Sequence, residues 1–308
     1  MSEITLHQYQ GSPFSEKVRA LLGYKNASYT MVNIPVIMPK PDLMALTGGY
    51  RKTPVMQIGA DIYCDSAIIC RVIDRLYPDK SIYPKNQEAT LGAAAHWADT
   101  FFFKVTVAMA FQPKSLAQNK AFTDPKVAKA FMEDRRQLAK GSADIGMDLS
   151  IAKAHWLMHL TRLENQLATA DYLGGQAPNI VDFSTYHCLW FLHSNEALRD
   201  DFSPFTHVLA WISRMANFGN GTIKEISGLK AIEIAQSTRV TAQDKLAGID
   251  VEGLAYNDQV EVLPIDYGFQ PTKGKLLTAS LEELTIARTD PVAGDVAVHF
   301  PRLGVRVN

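Results

Sequence analysis

Two short stretches of the sequence place polar side chains at the start of a helix. In the first, Gly11-Ser-Pro-Phe-Ser, Ser12 is a favoured N-cap residue and Pro13 suits the first helical position. A hydroxyl there lies among unpaired backbone N–H groups and the positive end of the helix dipole. These groups stabilise a thiolate, so they lower the pKa of a bound thiol from its usual value of about 8.5. Ser12 is therefore a candidate for ionising a ligand's thiol, and the alternative is that it serves only as a helix cap.

The second stretch, Lys52–Asp74, predicts a strand, a tight turn, a strand and a helix. Pro54 stands at the first position of the first strand, where a cis peptide bond would turn the chain sharply. The backbone of Val55 would then be free to pair with an extended, peptide-like ligand. The backbone donors after Asp65, with the Ser66 hydroxyl, form a site for a carboxylate. The stretch can therefore hold a short acidic peptide at two points, or it is an ordinary hairpin followed by a capped helix.

The elements that must position these residues alternate along the first part of the chain. Residues 4–10 predict a strand, Ser12 then begins a helix, and residues 29–34 predict a second strand. A short helix near 41–46 precedes the hairpin and the helix of the second stretch. This order is a βαβ unit joined to a ββα unit. It predicts an α/β fold with one mixed sheet and helices packed on it.

Length and composition limit the classes of function. A chain of 308 residues is longer than one typical core, so we expect two or three domains. The formal net charge of −1 argues against nucleic acid or an anionic membrane as the main partner, and no segment approaches an uninterrupted membrane span. The first residues do not resemble a secretory signal, and the three cysteines have no metal-type spacing. We therefore expect a cytoplasmic protein without a bound metal.

Residues 1–80 resemble the thioredoxin-like N-terminal domain of cytosolic glutathione S-transferases. The motifs that carry the resemblance are Ser12-Pro-Phe-Ser-Glu-Lys-Val-Arg19, Lys52-Thr-Pro-Val55 and Asp65-Ser66-Ala-Ile-Ile69, in that order and separation. The serine motif looks like that of tau- and zeta-like transferases, whereas omega-like ones use cysteine. It is also the glutaredoxin pattern with serine at both ends, so we expect no disulfide exchange there.

The resemblance implies a role for each motif residue. It implies that Ser12 hydrogen-bonds the glutathione sulfur and that Val55, after a cis Pro54, pairs with the cysteinyl backbone. It also implies that Asp65 holds the γ-glutamyl ammonium and Ser66 the γ-glutamyl carboxylate. Lys52 would then lie near the glycine carboxylate. Lys40 is a candidate to assist Lys52. Tyr9 is a second candidate for thiol activation, because some relatives use a tyrosine near the end of the first strand.

Residues 87–222 predict a second, all-helical domain after a short linker at 78–86. A long helix over 90–111 begins it, and a largely apolar helix follows Asn179. Asn179 and Asp182 have the spacing of a capping box, and this helix matches the core helix of the transferase helical domain. The resemblance thus covers about residues 1–220.

The pocket for a second substrate is expected between the two domains, where ligand sites are common. Aromatic and apolar residues on the long helix and near Ser12 are its candidate walls, although each taken singly is more readily explained as core packing. They are Phe14, Phe101, Phe102, Phe103, Met109 and Phe111.

Residues 223–308 extend beyond the usual length of the family. We expect a linking helix over 223–237, a link at 242–253, and then four or five short strands with alternating apolar residues. Their density predicts a small antiparallel, β-barrel-like module. We expect it to cap the transferase core; His299 and Arg302 would reach the active site if the module folds back.

The expected function is that of a glutathione transferase-like enzyme in detoxification, which ionises the thiol of glutathione for attack on a small hydrophobic electrophile. Glutathione is the expected co-substrate, and the resemblance implies a homodimer. Two alternatives stay open: a non-catalytic glutathione-binding protein of the same fold, and a glutathione-dependent isomerase or dehalogenase.

Overall fold

The computed structural model describes residues 3–118, 124–142, 146–241, 245–246 and 253–308. The strands are β1 (Ile4–Gln8), β2 (Ser28–Asn33), β3 (Val55–Ile58), β4 (Asp61–Cys64), β5 (Thr222–Glu225), β6 (Lys245–Leu246), β7 (Gln259–Pro264), β8 (Thr272–Ala279), β9 (Glu283–Asp290), β10 (Gly294–Pro301) and β11 (Val305–Val307). The helices are α1 (Pro13–Tyr24), α2 (Pro41–Thr47), α3 (Ser66–Leu76), α4 (Glu88–Trp97), α5 (Phe103–Ala110), α6 (Pro113–Gln118), α7 (Pro125–Ala139), α8 (Leu149–Leu167), α9 (Ile180–His193), α10 (Glu196–Arg199), α11 (Thr206–Ala216) and α12 (Gly228–Ser237).

The first four strands form the predicted mixed sheet. Strand β1 pairs in parallel with β2 and antiparallel with β3, and β3 forms a hairpin with β4. Helix α1 buries Val18, Leu21 and Leu22 completely against this sheet. The peptide bonds before Pro39 and Pro54 are both cis. The expected thioredoxin-like arrangement of the N-terminal part is therefore confirmed.

The helical domain is built around α9. Its Phe183, Tyr186 and Leu189 are at most 1% exposed, as predicted for a central helix. The predicted capping box is present, since the Asn179 side chain accepts a hydrogen bond at the first turn and Asp182 accepts one from the Asn179 backbone N–H at 3.0 Å. A π-helical turn separates α4 from α5, so the predicted long helix is interrupted once. In the described ranges no helix is long and apolar enough to span a bilayer.

Strands β7 to β11 pair antiparallel with one another, as predicted, whereas β6 pairs in parallel with β8, and together they do not form a separate barrel. Strand β10 pairs in parallel with β4, so ten strands follow one path in the order β11-β7-β8-β9-β10-β4-β3-β1-β2-β5, with β6 beside β8. Without β10, strand β4 would be an edge strand with a row of unpaired backbone N–H and C=O groups. Pairing with β10 gives those groups hydrogen-bond partners. Val298 and Phe300 share a buried core with Ile62 and Cys64 of β4. The module is therefore a continuation of the N-terminal sheet.

The prediction of one helix over 223–237 is wrong in its first part. Residues Thr222–Glu225 form β5, which pairs in parallel with the opposite edge of the sheet at β2. Ser227 then caps α12 by accepting a hydrogen bond from the Lys230 N–H at 3.1 Å. Residues 222–225 form a strand instead of a helix because the edge of β2 is open. Pairing with β5 satisfies the backbone N–H and C=O groups of β2, which a longer helix would leave unpaired. Most of the predicted link at 242–253 lies outside the described residues.

A buried histidine joins the C-terminal strands to the N-terminal sheet. His299 Nε2 lies 3.0 Å from Asp61 Oδ1, and His299 Nδ1 lies 2.6 Å from Glu283 Oε1. The Thr241 hydroxyl donates to Asp61 Oδ2 at 2.5 Å, and the Tyr63 ring stacks on the imidazole at 4.3 Å. Burial opposes a charged imidazole, yet the two carboxylates raise the pKa of His299 above its ordinary value. His299 thus serves this junction instead of the active site.

We expect the His299 junction to make stability depend on pH. Because its folded pKa is raised, protonated His299 stabilises the fold below the unfolded pKa of about 6.5, and this contribution is lost as pH rises through the folded value. Burial would raise the pKa values of Asp61 and Glu283, but their hydrogen bonds to His299 lower both. The charge of Arg75 lowers the pKa of Glu283 further. Their contribution is lost instead as pH falls through those values.

His299→Gln should therefore reduce the loss of stability between neutral and alkaline pH by about 1.4 kcal/mol for each unit by which the folded pKa exceeds the unfolded one. Urea unfolding from pH 5 to 9 measures it, with exposed His96→Gln as the control. Parallel stability curves for the wild type and His299→Gln would contradict this role.

Candidate active site

A small cavity of about 80 Å³ lies at the amino end of α1, and Ser12 and Tyr9 form part of its wall. Ser12 is the N-cap residue, and its Oγ accepts a hydrogen bond from the Ser15 N–H at 3.2 Å. The hydroxyl proton therefore remains available to a group in the cavity. The Ser15 hydroxyl, by contrast, is buried without a hydrogen-bond partner among the described residues. The first predicted site residue thus lies at the cavity, and the second candidate for thiol activation lies beside it.

The cavity carries an excess of positive charge. Its cationic wall residues are Lys40, Arg51, Lys52 and Arg135. Two carboxylates oppose them: Asp134 lies 2.5 Å from Arg51, and Asp266 lies 2.5 Å from Lys52. Lys40 donates a hydrogen bond to the Thr53 hydroxyl at 3.3 Å, and its burial, with the charges of Arg135 and Arg51, lowers its pKa to about 8. An anion, or a thiol that becomes one, is the favoured occupant.

The structure does not leave Val55 free for a peptide-like ligand. Val55 is fully buried and stands opposite His7 of β1 on one side and Cys64 of β4 on the other. A residue in the middle of a sheet has strand partners on both sides. Thr53, which precedes the cis Pro54, lines the cavity instead. The sequence signal that could have identified it is the position before the proline, where the sharp turn exposes the backbone.

Asp65 and Ser66 lie at the start of α3, and neither lines the small cavity. The Asp65 carboxylate caps α3 by accepting a hydrogen bond from the Ala67 N–H at 2.8 Å, with φ at 94°. The Tyr50 hydroxyl donates to its other oxygen at 3.5 Å. Burial raises the pKa of Asp65, while the charge of Lys52 acts in the opposite direction. Asp65 is thus already engaged as a cap, whereas Ser66 is buried at the first position of the helix.

The apolar wall is smaller than the sequence predicts. Phe14 and Phe103 line the cavity, with their ring centroids 4.6 Å apart. Phe102 and Met109 are buried in the helical core, so they do not reach it. The remaining two predicted wall residues, Phe101 and Phe111, are partly buried against that core and are also absent from the cavity wall.

An ion-pair cluster beneath Phe14 was not predicted. Lys17 Nζ lies 2.6 Å from Asp99 Oδ2, and His187 Nε2 lies 3.0 Å from Asp99 Oδ1. The Phe14 ring packs on the His187 ring at 4.5 Å. Although burial opposes ionisation, Lys17 and His187 lower the pKa of Asp99 to about 2. The cluster fixes α1, and with it Ser12, to the helical domain. The one sequence signal was a lysine on the buried face of α1.

The C-terminal part of the chain also contributes to the cavity, but through a residue that the sequence analysis did not identify. Tyr267, in the turn after β7, lines it, and Lys52 Nζ lies 4.0 Å from the Tyr267 ring centroid. Neither His299 nor Arg302 is part of the wall. In the described part of the chain no group of three or more His, Cys, Asp or Glu side chains could hold a metal ion.

Comparison with known proteins finds similarity along the whole chain. Residues 6–81 match the description "Glutathione S-transferase, N-terminal domain", and residues 133–214 match "Glutathione S-transferase, C-terminal domain". The crystal structure of a GST-like protein from Pseudomonas syringae is 38% identical and has a TM-score of 0.84, with 100% of this chain and 99% of that chain covered. Glutathione S-transferase U4 of Arabidopsis thaliana is 23% identical over 58% of this chain and 67% of its own length.

A more distant structure shares the fold alone. The β-etherase LigF from Sphingobium sp. strain SYK-6 is 18% identical with a TM-score of 0.51, and the match covers 70% of this chain and 95% of that one. The Pseudomonas match, in contrast, includes the C-terminal strands. Those strands are therefore a feature that this chain shares with another solved protein.

Proposed function

Because this chain belongs to the glutathione S-transferase family, we propose that it is an enzyme that ionises the thiol of glutathione at Ser12 for attack on a hydrophobic electrophile. The observation that carries the proposal is the Ser12 hydroxyl at the amino end of α1, inside a cavity with more cations than carboxylates. Its oxygen caps the helix, so its proton is available to the sulfur. A thiolate gains from this hydrogen bond, from the helix dipole and from the nearby charges.

The proposed orientation of glutathione follows from the charges around the cavity. Its sulfur lies against Ser12, its glycine carboxylate is directed to Lys52 with Lys40 nearby, and its γ-glutamyl end is directed to Ser66 at the start of α3. Helix amino ends favour carboxylates, and buried ammonium groups favour them more strongly. The backbone contact to the cysteinyl unit is assigned to Thr53, which lines the cavity, instead of Val55.

The proposed chemistry uses few groups of the protein. The thiol proton is released to solvent, and the thiolate then forms a sulfur–carbon bond with the electrophile. In a substitution the leaving group departs with its bonding electron pair, whereas in an addition the adjacent carbon takes up a proton. Phe14 and Phe103 form the apolar side of the cavity, so they are the proposed contacts of the electrophile.

A second candidate is a glutathione-binding protein without turnover. It is favoured by the short apolar wall, since only Phe14 and Phe103 of the residues expected to hold the electrophile line the cavity. Calorimetry with reduced glutathione at millimolar concentration tests binding, and turnover of a generic aryl halide tests transfer. Binding without turnover supports this candidate, and the absence of binding at millimolar glutathione rejects both. We also propose, from the family alone, a homodimer, a cytoplasmic location and a role in detoxification.

Ser66→Ala is expected to weaken glutathione binding by about 10- to 100-fold. It removes one hydrogen bond to a carboxylate, and such bonds contribute about 1.5–3 kcal/mol. Calorimetry gives the dissociation constant. Ser150→Ala is the matched control, because Ser150 also lies in the first turn of a helix, α8, which has no part in the proposed orientation of glutathione. An unchanged dissociation constant in Ser66→Ala would remove Ser66 from the site.

A further inference from the structure

The turn 265–269, between β7 and β8, closes one side of the cavity. Its Asp266 carboxylate lies 2.5 Å from Lys52 Nζ, and the same ammonium lies 4.0 Å from the Tyr267 ring centroid. The Lys52 side chain is 10% exposed as a result. The cation that the proposed function directs to the ligand's glycine carboxylate is therefore already paired with a carboxylate of the chain itself.

Two hydrogen bonds hold this turn against the end of α7. The Gly268 N–H donates to the Leu138 carbonyl at 2.9 Å, and the Ser142 hydroxyl donates to the Asp266 carbonyl at 2.7 Å. Gly268 has a φ of +70°, and a Cβ there would lie 3.1 Å from Leu138 Cδ1, so a side chain would not fit easily. Tyr267 is a half-buried wall of the cavity, and desolvation there raises the pKa of its hydroxyl. The position of Asp266 is thus defined by its surroundings.

The ion pair with Asp266 changes the binding free energy that a ligand carboxylate gains at Lys52. The Asp266 side chain is 45% exposed, so a ligand carboxylate at Lys52 either displaces it into solvent or shares the ammonium with it. Displacement exchanges one ion pair for another, and sharing brings two carboxylates close together, so the net gain in binding free energy is small in either case. A ligand with an uncharged end at this point has no such exchange to make. Discrimination between the two ligands is therefore set by the charge at position 266.

We propose that Asp266 is a specificity-determining residue of the thiol site, whose carboxylate competes with the C-terminal carboxylate of the thiol ligand for Lys52. The inference rests on the proposed function, since it assigns the ligand's glycine end to Lys52. In the wild type the site recognises glutathione mainly at its γ-glutamyl end, through Ser66, and it distinguishes weakly between a charged and an uncharged C-terminal end. Removing the charge of Asp266 makes it select for a charged end.

The test compares two thiols that differ only in that charge: reduced glutathione and glutathione ethyl ester, in which the glycine carboxylate is esterified. Asp266→Asn keeps the shape of the side chain and removes its charge. Calorimetry should show that this variant binds glutathione about tenfold more tightly than the wild type, or about 1.4 kcal/mol, while binding of the ester changes by less than about twofold.

The control variant is Glu261→Gln, which neutralises a carboxylate in the same C-terminal strands that lies 2.5 Å from Lys273. It should leave both dissociation constants unchanged. Equal tightening of glutathione and of the ester in Asp266→Asn would overturn the proposal, because the turn would then act through its bulk. No change for either thiol would also overturn it.

A second measurement separates this inference from the proposed function. If neither the wild type nor Asp266→Asn binds glutathione, the proposed function fails, and the inference fails with it. If both bind, the inference is judged separately, by the two dissociation constants and by hydrogen exchange at the Gly268 amide, whose acceptor is the Leu138 carbonyl. Exchange should be faster in Asp266→Asn than in the wild type, because the ion pair to Lys52 holds the turn in place. Equal exchange rates would overturn the inference.

Discussion

Replacing Ser12 with alanine is expected to lower the rate of thiol attack by about 10- to 100-fold and to leave glutathione affinity nearly unchanged. The hydroxyl is assigned one hydrogen bond to the thiolate, and a hydrogen bond to a charged group contributes about 1.5–3 kcal/mol. Each 1.36 kcal/mol of barrier is about tenfold in rate. The same loss should raise the pKa of the bound thiol by about one to two units.

The rate, the dissociation constant and the thiolate's ultraviolet absorbance across a pH titration test this expectation. Ser12→Ala also removes a helix cap, which costs about 0.5–2 kcal/mol of stability. Ser227→Ala is the matched control, because Ser227 caps α12 through the Lys230 N–H at 3.1 Å and does not line the cavity. It should lower stability and leave the rate unchanged.

Tyr9→Phe tests the alternative that Tyr9 activates the thiol instead of Ser12. Tyr9 lines the same cavity, and it is the second candidate for thiol activation. If Ser12→Ala leaves the thiol pKa and the rate unchanged while Tyr9→Phe alters both, the assignment moves from Ser12 to Tyr9. If both variants alter the pKa, the two hydroxyls share the thiolate.

Features with local signals were predictable from the sequence. The cap at Ser12, the cis bond before Pro54 and the capping box at Asn179 each depend on a few neighbouring residues, because caps and prolines act through nearby backbone groups. The same reasoning gave the order of the first four strands. It failed at Val55, because whether a strand has one neighbour or two is not encoded within the strand itself.

Features that depend on distant pairing were not predictable. Lys52 and Asp266 are separated by 214 positions, and Lys17 and Asp99 by 82. An alternating pattern shows that a strand has a buried face, but it does not show which edge the strand will join. The pairing of β10 with β4 therefore had no visible signal. That pairing brings the turn with Asp266 and Tyr267 to the cavity.

Asp99→Asn is expected to lower the free energy of unfolding by about 3–5 kcal/mol. The Lys17 side chain is 1% exposed, so the substitution leaves a buried ammonium without its opposing charge. Breaking a buried pair by removing one partner has an effect of that size. Urea unfolding measures it. Asp201→Asn is the control, since it breaks the exposed pair with Lys114 and should cost less than about 1 kcal/mol.

Removing both charges together distinguishes an unpaired lysine from a loss of packing. The double variant Lys17→Met/Asp99→Leu should be more stable than Asp99→Asn, because apolar groups of similar volume replace a buried pair at little cost. Acid titration gives an independent reading. The folded pKa of Asp99 is lowered to about 2, so its contribution is present above the ordinary value of 3.8 and is lost as pH falls towards 2. Asp99→Asn should remove that part of the acid dependence, and an unchanged acid profile would show that Asp99 and Lys17 are not paired in solution.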